Sequence, residues 1–294
     1  MTNRILVPLD GTILAKRALP WAELMAEALD ADIQLLRIVD AMSELSASSG
    51  KLVGGELLER ATEDAISSLR VTRGEIQGSR VEILVSQGAV PERINEYAHE
   101  RGATLIVMAS HARGEPERTL VGSVAAAVIA QSAAPVMVIS PRLARPAHLS
   151  RRVLVPQDGS DLAKKILPVL ALFAKKLGWT LVLFRVVEMP PPMLPFQGAS
   201  IPLGPVPDEP PSEAIEDLEA VARGLSAEGI RVETRVGWGD RAEAICCAAE
   251  EADCGFIALS THGRHGIERL ALGSVANGVI RAAKVPVLTL SPKA

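Results

Sequence analysis

Aromatic residues are scarce in this sequence of 294 residues, which contains one Tyr, four Phe and three Trp. So few rings cannot supply the rows of stacking platforms on which single-stranded nucleic acids lie. The formal net charge is −4, so the chain offers no electrostatic attraction for a polyanion. We therefore expect no nucleic acid among its partners.

Cysteines and long apolar runs are lacking as well. Three Cys residues cannot build a disulfide framework. The longest apolar run, 166–174, is flanked by lysines and is far shorter than the ~20 residues that span a bilayer, so it predicts a buried helix. Met1 is followed at once by the strand-like segment 4–7, without the pattern of an export signal. We expect a cytoplasmic protein that does not bind membranes.

Internal repetition is what the sequence has in abundance. RILVPLDGT, beginning at Arg4, returns 148 residues later at Arg152 as RVLVPQDGS. PVMVISP at 135–141 returns 151 residues later as PVLTLSP at 286–292. The extra residues of the second copy fall within 190–211, where nine prolines predict an extended loop. Such a long repeat indicates that a whole domain is duplicated.

Two domains also follow from the length and composition. A chain of 294 residues with 48% hydrophobic residues can fill two cores. The segment 141–150 joins the end of the first copy to the start of the second. We place the domains at residues 1–145 and 150–294, and call them the first and second copy.

Apolar runs of strand length alternate with segments of helical periodicity in each copy. This alternation predicts βαβ units and a five-stranded parallel sheet covered by helices on both faces. Thr12 and Ser160 stand where helix N-caps are expected, and Asp240 followed by Glu243 resembles a capping box. In the first copy the predicted strands are 4–8, 32–38, 80–85, 104–109 and 136–139, and the predicted helices lie near 13–29, 55–73, 91–101 and 123–132.

Ligands of open parallel sheets bind beyond the carboxyl ends of the strands, so the residues there are the candidate site. Asp10-Gly-Thr and Asp158-Gly-Ser follow the first strand of each copy. The residues alone favour turn and cap chemistry, and a ligand-binding acid is the alternative.

A Gly-Ser pair begins the last helix of each copy, at Gly122-Ser123 and Gly273-Ser274. Glycine lets the backbone approach a ligand closely, and the amides at a helix N-terminus attract phosphate oxygens. The alternative is a glycine-rich loop in which the serine caps the helix.

Other nucleotide motifs are absent or out of place. The sequence contains no P-loop pattern. The segment 237–242, GWGDRA, matches the dinucleotide pattern but follows the third strand of its copy, so we expect no dinucleotide site there.

Metal and covalent chemistry have little support. Cys246, Cys247 and Cys254 include no C-x-x-C pair, so small core residues are the better interpretation. Ser110-His111 and Thr261-His262 place a hydroxyl beside an imidazole, but no G-x-S-x-G elbow precedes either pair. We therefore expect neither a metal site nor a hydrolytic triad.

Taken together, these motifs resemble the universal stress protein family in its tandem two-domain form. Nucleotide-binding members of that family carry G-x2-G-x9-G-[ST] after the fourth strand. The second copy is similar at Gly263, Gly273 and Ser274, with Ser260 in place of the first glycine. The first copy keeps Gly122 and Ser123 but has Ala109 and Ala112 at the two earlier positions.

The resemblance implies two Rossmann-like domains, of the adenine nucleotide alpha hydrolase-like type, with strand order 3-2-1-4-5 and ATP over the switch between strands 1 and 4. It implies that Asp10 and Asp158 lie near the adenosine, and that the backbone of Ile38 and Val186 meets the adenine. Arg264 would lie close to the phosphates, with Mg²⁺ sharing their charge. The alanines of the first copy, together with Glu115 and Glu117, predict weaker binding there.

The function implied is that of an adenine-nucleotide-binding regulatory protein of the stress response, without rapid catalysis. A slow ATP hydrolase and a scaffold with vestigial sites are the alternatives. The family also implies that the final strands, 136–139 and 287–290, pair within the chain, that the intact chain forms a homodimer, and that it acts on a protein partner that the sequence does not identify.

Overall fold

The computed structural model of the chain describes residues 3–40, 54–110, 121–140, 143, 150–187, 193–196, 199–202, 211–261 and 272–291. Its strands are β1 (Asn3–Pro8), β2 (Ala31–Val39), β3 (Val81–Gln87), β4 (Leu105–Ala109), β5 (Val136–Ile139), β6 (Arg152–Pro156), β7 (Thr180–Val187), β8 (Met193–Phe196), β9 (Ala199–Pro202), β10 (Arg231–Trp238), β11 (Phe256–Ser260) and β12 (Val287–Leu290). Its helices are α1 (Ile13–Lys16), α2 (Leu19–Leu29), α3 (Gly54–Glu75), α4 (Val90–Glu100), α5 (Ser123–Gln131), α6 (Asp161–Lys164), α7 (Leu167–Leu177), α8 (Ser212–Ala227), α9 (Arg241–Glu251) and α10 (Ser274–Ala282).

The chain divides into two compact units. Unit 1 comprises Met1–Leu149 together with Ser260–Ala294, and unit 2 comprises Ser150–Leu259. The end of the second copy therefore belongs to unit 1. The boundaries 1–145 and 150–294 follow the sequence repeat and stay a prediction.

The sheet of unit 1 has the order β3-β2-β1-β4-β5, and these five strands are parallel. This is the predicted order 3-2-1-4-5, and each predicted strand of the first copy is found within two residues of its expected bounds. In unit 2 the order is β10-β7-β6-β11, which corresponds to 3-2-1-4, again with parallel neighbours. The predicted α/β class is confirmed.

The two central strands, β1 and β6, are apolar on both faces. Ile5, Leu6 and Val7 of β1 have no exposed surface, and neither have Val153, Leu154 and Val155 of β6. A parallel strand is buried on both sides when helices cover both faces of its sheet, so these runs do not alternate with polar residues. This burial places the polar residues of β1 and β6 at the ends of the strands.

The strand β12 pairs antiparallel with β5 inside unit 1. Val287 lies opposite Val138, and Thr289 lies opposite Val136. The Thr289 hydroxyl also donates a hydrogen bond to the Val136 carbonyl at 3.1 Å. The predicted pairing of the two final strands within one chain is confirmed.

The helix predicted near 13–29 is two helices, α1 and α2, because Pro20 stands at the start of α2. Proline has no N–H to donate to the preceding turn, so the helix cannot run through it. Between the two helices, Arg17 donates to the Leu14 carbonyl and Ala18 to the Ala15 carbonyl in tight turns, both at 3.1 Å. Pro168 divides α6 from α7 in the same way.

Two other expectations need correction. The apolar run 166–174 does form the helix α7, but Leu172 is 69% exposed, so the helix is buried on one side only. Within the proline-rich segment, β8 and β9 form an antiparallel hairpin where an extended loop was predicted. Both of its strands are edges, where proline is tolerated because no central ladder needs its missing N–H. None of the helices in the described ranges is both long and apolar enough to cross a membrane.

Candidate functional site

The Asp-Gly-Thr turn after β1 is held by side-chain hydrogen bonds. Asp10 Oδ1 accepts from the Thr12 amide at 2.8 Å and from the Thr12 hydroxyl at 2.6 Å. The Thr12 hydroxyl oxygen then accepts from the Ala15 amide at 3.2 Å and caps α1. The other carboxylate oxygen, Asp10 Oδ2, is buried and has no hydrogen-bond partner. The turn therefore uses one oxygen of the carboxylate and leaves the second for another donor.

The second copy repeats this geometry in unit 2. Asp158 Oδ1 accepts from the Ser160 amide at 2.9 Å and from the Ser160 hydroxyl at 2.6 Å. Ser160 in turn caps α6 by accepting from the Ala163 amide at 3.1 Å. Both predicted caps, Thr12 and Ser160, are confirmed, and so is the cap at Asp240, which accepts from the amides of Ala242 and Glu243 at 3.1 Å. Turn and cap chemistry is thus present in both copies, and in the first copy it leaves Asp10 Oδ2 unused.

Opposing influences act on the Asp158 carboxylate. Burial by itself would raise its pKa, but the hydrogen bonds from Ser160 and from its own amide, together with the positive charge of Arg185, lower the pKa below its ordinary value. The carboxylate is therefore ionised throughout the neutral range, and it can accept a hydrogen bond but not donate one.

The backbone of Ile38 faces the space beyond the end of β1. The β1–β2 pairing stops at Pro8, opposite Leu36, and the Leu9 amide donates to the Leu36 carbonyl at 2.8 Å. On the other side, the Val39 carbonyl accepts from Gly88 at 3.2 Å. Because successive residues of a parallel strand direct their peptide groups to alternate neighbours, those of Ile38 are directed past the end of β1.

Val186 occupies the equivalent position in unit 2. The β6–β7 pairing ends at Pro156, opposite Phe184, and the Gln157 amide donates to the Phe184 carbonyl at 2.8 Å. The carbonyl of the next residue, Val187, accepts from Gly239 at 3.3 Å. By the same alternation, the peptide groups of Val186 are directed past the end of β6.

The helix α5 begins at the carboxyl edge of the sheet of unit 1. The Gly122 amide donates to the carbonyl of Ser110, the residue that follows β4, at 2.8 Å. The first bond within the helix runs from Ala126 to the Gly122 carbonyl, so the amides of residues 123–125 have no partner in the helix. Gly122 is the N-cap and no side chain caps the helix, so the alternative that Ser123 is a cap is wrong.

The helix α10 begins in the same way. Gly273 is its N-cap, no side chain caps it, and the Asn277 amide donates to the Gly273 carbonyl at 2.9 Å. Ser274 is exposed, as is Ser123 of α5. A capping role for Ser274 is therefore also wrong. In both helices the first-turn amides have no partner within the helix, and the serine hydroxyl is exposed.

The predicted site residues are placed as follows. Asp10, Ile38, Gly122 and Ser123 lie at the carboxyl edge of the sheet in unit 1, after β1, near the end of β2 and after β4. Asp158 and Val186 belong to unit 2, whereas Gly273 and Ser274 belong to unit 1.

Ser260, also assigned to unit 1, has a buried hydroxyl oxygen without a hydrogen-bond partner. Gly263 and Arg264 lie outside the described residues, as do Ala112, Glu115 and Glu117.

Two arginines lie beside the Asp-Gly turns, and no sequence motif considered above includes either of them. Arg37 of β2 lies against Gly11, and Arg185 of β7 lies against Gly159. Each arginine interrupts an otherwise apolar strand end, LLRIV in β2 and LFRVV in β7, and the two are 148 residues apart. An arginine at the equivalent position of both duplicated strands is the sequence signal that would have revealed them.

The glycines of the dinucleotide-like segment have structural roles. A Cβ on Gly237 would lie 2.7 Å from the Phe184 ring, so this glycine permits close packing between β10 and β7. Gly239 has a φ of +123°, which L-amino acids rarely adopt. Packing and backbone conformation therefore account for both glycines without a dinucleotide.

The cysteines differ in exposure. Cys246 and Cys254 are buried, as the core interpretation predicts, but Cys247 is exposed, so that interpretation is wrong for Cys247. Adjacent residues of a helix point about 100° apart, which separates Cys246 from Cys247. Burial raises the pKa of both Cys246 and Cys254 to about 11. Among the described residues, no three His, Cys, Asp or Glu side chains cluster in a way that would hold a metal ion.

We expect one thiol of the folded protein to react quickly with a thiol-specific reagent at pH 8. Cys247 is the exposed thiol, whereas at this pH a thiol with a pKa near 11 is ionised in only about one molecule in a thousand. Counting modified thiols by mass spectrometry before and after unfolding in guanidinium checks this. A Cys247→Ser variant that still reacts quickly when folded would contradict it.

Comparison with known proteins identifies the family. The sequence profile of the universal stress protein family matches residues 1–140 and 150–291. A universal stress protein of Mycolicibacterium smegmatis is 26% identical over 308 aligned residues, covering 98% of this chain and 97% of the relative. The universal stress protein Slr1230 of Synechocystis is 24% identical, covering 98% of this chain and 99% of the relative.

A solved structure shares the fold over the same extent. The crystal structure of a universal stress protein from Archaeoglobus fulgidus superimposes with a TM-score of 0.74 at 22% identity and covers 99% of both chains. Because the family profile matches both copies separately, the chain belongs to the universal stress protein family and carries its domain twice in tandem.

Proposed function

We propose that this stress-response protein binds adenine nucleotides, ATP in particular, and acts as a regulator through occupancy of its sites and not through rapid catalysis. The observation that carries the proposal is the carboxyl edge of the sheet in unit 1. There the Asp10 oxygen without a partner, the outward-facing backbone of Ile38 and the first-turn amides of α5, which have no partner within the helix, follow three adjacent strands.

The first turn of α5 suits a triphosphate. Its amides point out of the helix, and the helix dipole adds partial positive charge at this end. The hydroxyl of Ser123 is exposed and is not used as a cap, so it can donate to a phosphate oxygen. We propose that Mg²⁺ shares the phosphate charge.

The ends of β1 and β2 suit an adenosine. A carboxylate oxygen without a protein donor can accept a hydrogen bond from a hydroxyl of the sugar. The peptide groups of Ile38 offer both a donor and an acceptor, which is the pair needed to recognise the edge of an adenine ring. Backbone recognition also explains why Ile38 in one copy and Val186 in the other can serve equally.

The sequence of the second copy repeats these positions as Asp158, Val186, Gly273 and Ser274, and adds Ser260, Gly263 and Arg264. On this sequence repetition we propose that the second copy also binds a nucleotide. The intact chain is further proposed to form a homodimer and to act on a protein partner. Its free thiols fit a reducing compartment, which favours the cytoplasm.

Native mass spectrometry of the purified chain tests the proposal most directly. We expect added mass equal to one or two adenine nucleotides. After the nucleotide has been removed, calorimetric titration with ATP should show binding at the same number of sites. A chain that neither retains nor binds ATP would favour the scaffold with vestigial sites. Sustained phosphate release that a site variant removes would instead favour the slow hydrolase.

A further inference from the structure

An arginine approaches the Asp-Gly turn in the same way in both copies. A Cβ added to Gly11 would lie 2.5 Å from Arg37 Nη1, and a Cβ added to Gly159 would lie 2.8 Å from Arg185 Nη1. The two glycines have nearly equal φ angles of +85° and +86°. Each guanidinium therefore occupies the space that any other residue at the glycine would fill.

This contact is retained although neighbouring residues differ between the copies. Leu9 before the first turn corresponds to Gln157 before the second, and Thr12 corresponds to Ser160. The arginine also directly precedes the residue whose backbone is directed past the end of the first strand, Ile38 or Val186. One side chain thus connects the two elements that the proposed function assigns to the adenosine.

The charge of the guanidinium acts on the adjacent carboxylate. Arg185 is one of the influences that keep Asp158 ionised, alongside the hydrogen bonds of the turn. An ionised acceptor makes a stronger hydrogen bond than a neutral one. The planar guanidinium can also lie flat on the glycine peptide, which the ammonium group of lysine cannot do.

We propose that Arg185, and Arg37 in the first copy, are positioning residues for nucleotide binding, which pack on the glycine of the turn and hold the aspartate in place for the adenosine. This inference rests on the proposed function. The arginines act through Asp158 and Asp10, and no direct contact with the nucleotide is required.

The experiment uses the full chain with Arg185→Gln, Arg185→Lys and, as a matched control, Arg223→Gln, whose side chain is 71% exposed on α8. We expect Arg185→Gln to weaken ATP binding by about fivefold. This factor corresponds to the upper end of the interaction free energies of solvent-accessible charge pairs. Arg185→Lys keeps the positive charge and should therefore lose less affinity for ATP than Arg185→Gln. Arg223→Gln should bind like the parent.

A carboxyl-carbon NMR titration of Asp158 supplies a readout that needs no nucleotide. Its pKa should rise in Arg185→Gln and stay low in Arg185→Lys and in Arg223→Gln. If the parent binds ATP while the folded Arg185→Gln variant matches Arg223→Gln in affinity and titration, the positioning role is overturned. If the parent binds no ATP, the proposed function fails, whatever the titration shows.

Discussion

Replacing Gly273 by Val is expected to abolish ATP binding at the second copy. The branched side chain would stand at the N-cap of α10, where a phosphate must approach the free amides closely. Gly273 has a φ of −56° and a ψ of 151°, a conformation open to any L-residue, so the substitution does not strain the backbone. The loss would therefore report on ligand approach.

The equivalent change in the first copy, Gly122→Val, is its matched control. Gly122 has a φ of −51° and a ψ of 145° and begins a helix of the same length. We expect a smaller loss, because the first copy has Ala109 and Ala112 where the family pattern has glycine, and Glu115 and Glu117 nearby in sequence.

A milder substitution at the start of α10, Ser274→Ala, tests the contribution of a single hydroxyl to ATP binding. Ser274→Ala should weaken ATP binding by about 1–3 kcal/mol if its hydroxyl donates to a charged phosphate. Calorimetric titration of Gly273→Val, Gly122→Val and Ser274→Ala against the parent decides the matter. Equal affinities at two sites, or a greater loss from Gly122→Val than from Gly273→Val, would contradict the expectation that the second copy binds ATP more tightly than the first.

Separating the copies as residues 1–145 and 150–294 is expected to produce dimers or aggregates. In the intact chain β12 covers the edge of β5, and Val136, Met137 and Val138 are at most 1% exposed. Cutting the chain leaves each final strand without its partner, and an apolar edge with unpaired N–H and C=O groups associates with another.

Light scattering of each purified half, with the intact chain as reference, measures this outcome. Mixing the halves should restore the β5–β12 pairing and reduce their self-association. Two monodisperse monomers would show that the pairing is not needed to protect these edges.

Most of the fold could be predicted because the central strands β1, β4 and β6 contain continuous apolar runs that end just before a polar residue. The exceptions have local causes. Pro20 breaks a helix whose apolar stripe continues on both sides, and periodicity does not detect such a break. The hairpin of β8 and β9 was missed because prolines are read as loop residues, although a two-stranded ribbon tolerates them.

The candidate site was predictable in its residue types but not in its contacts. Sequence patterns located Asp10 and Gly122 after the right strands. They could not show that Asp10 keeps one oxygen without a donor, or that Gly122 is itself the N-cap. Arg37 and Arg185 escaped because a single charge near a strand end is common. Their recurrence 148 residues apart was the sequence signal, and their contact with a glycine is visible only in the structure.

The pairing of β5 with β12 also has a consequence for biosynthesis. A ribosome that adds about 5–20 residues per second completes β12 roughly 8–30 s after β5. During that interval the first copy can fold, but its final strand has no partner. Neighbouring nascent chains on one polysome bring such edges close together, where they can exchange strands. Tandem duplication therefore covers the β5 edge in the finished protein and leaves that edge open until β12 has been synthesised.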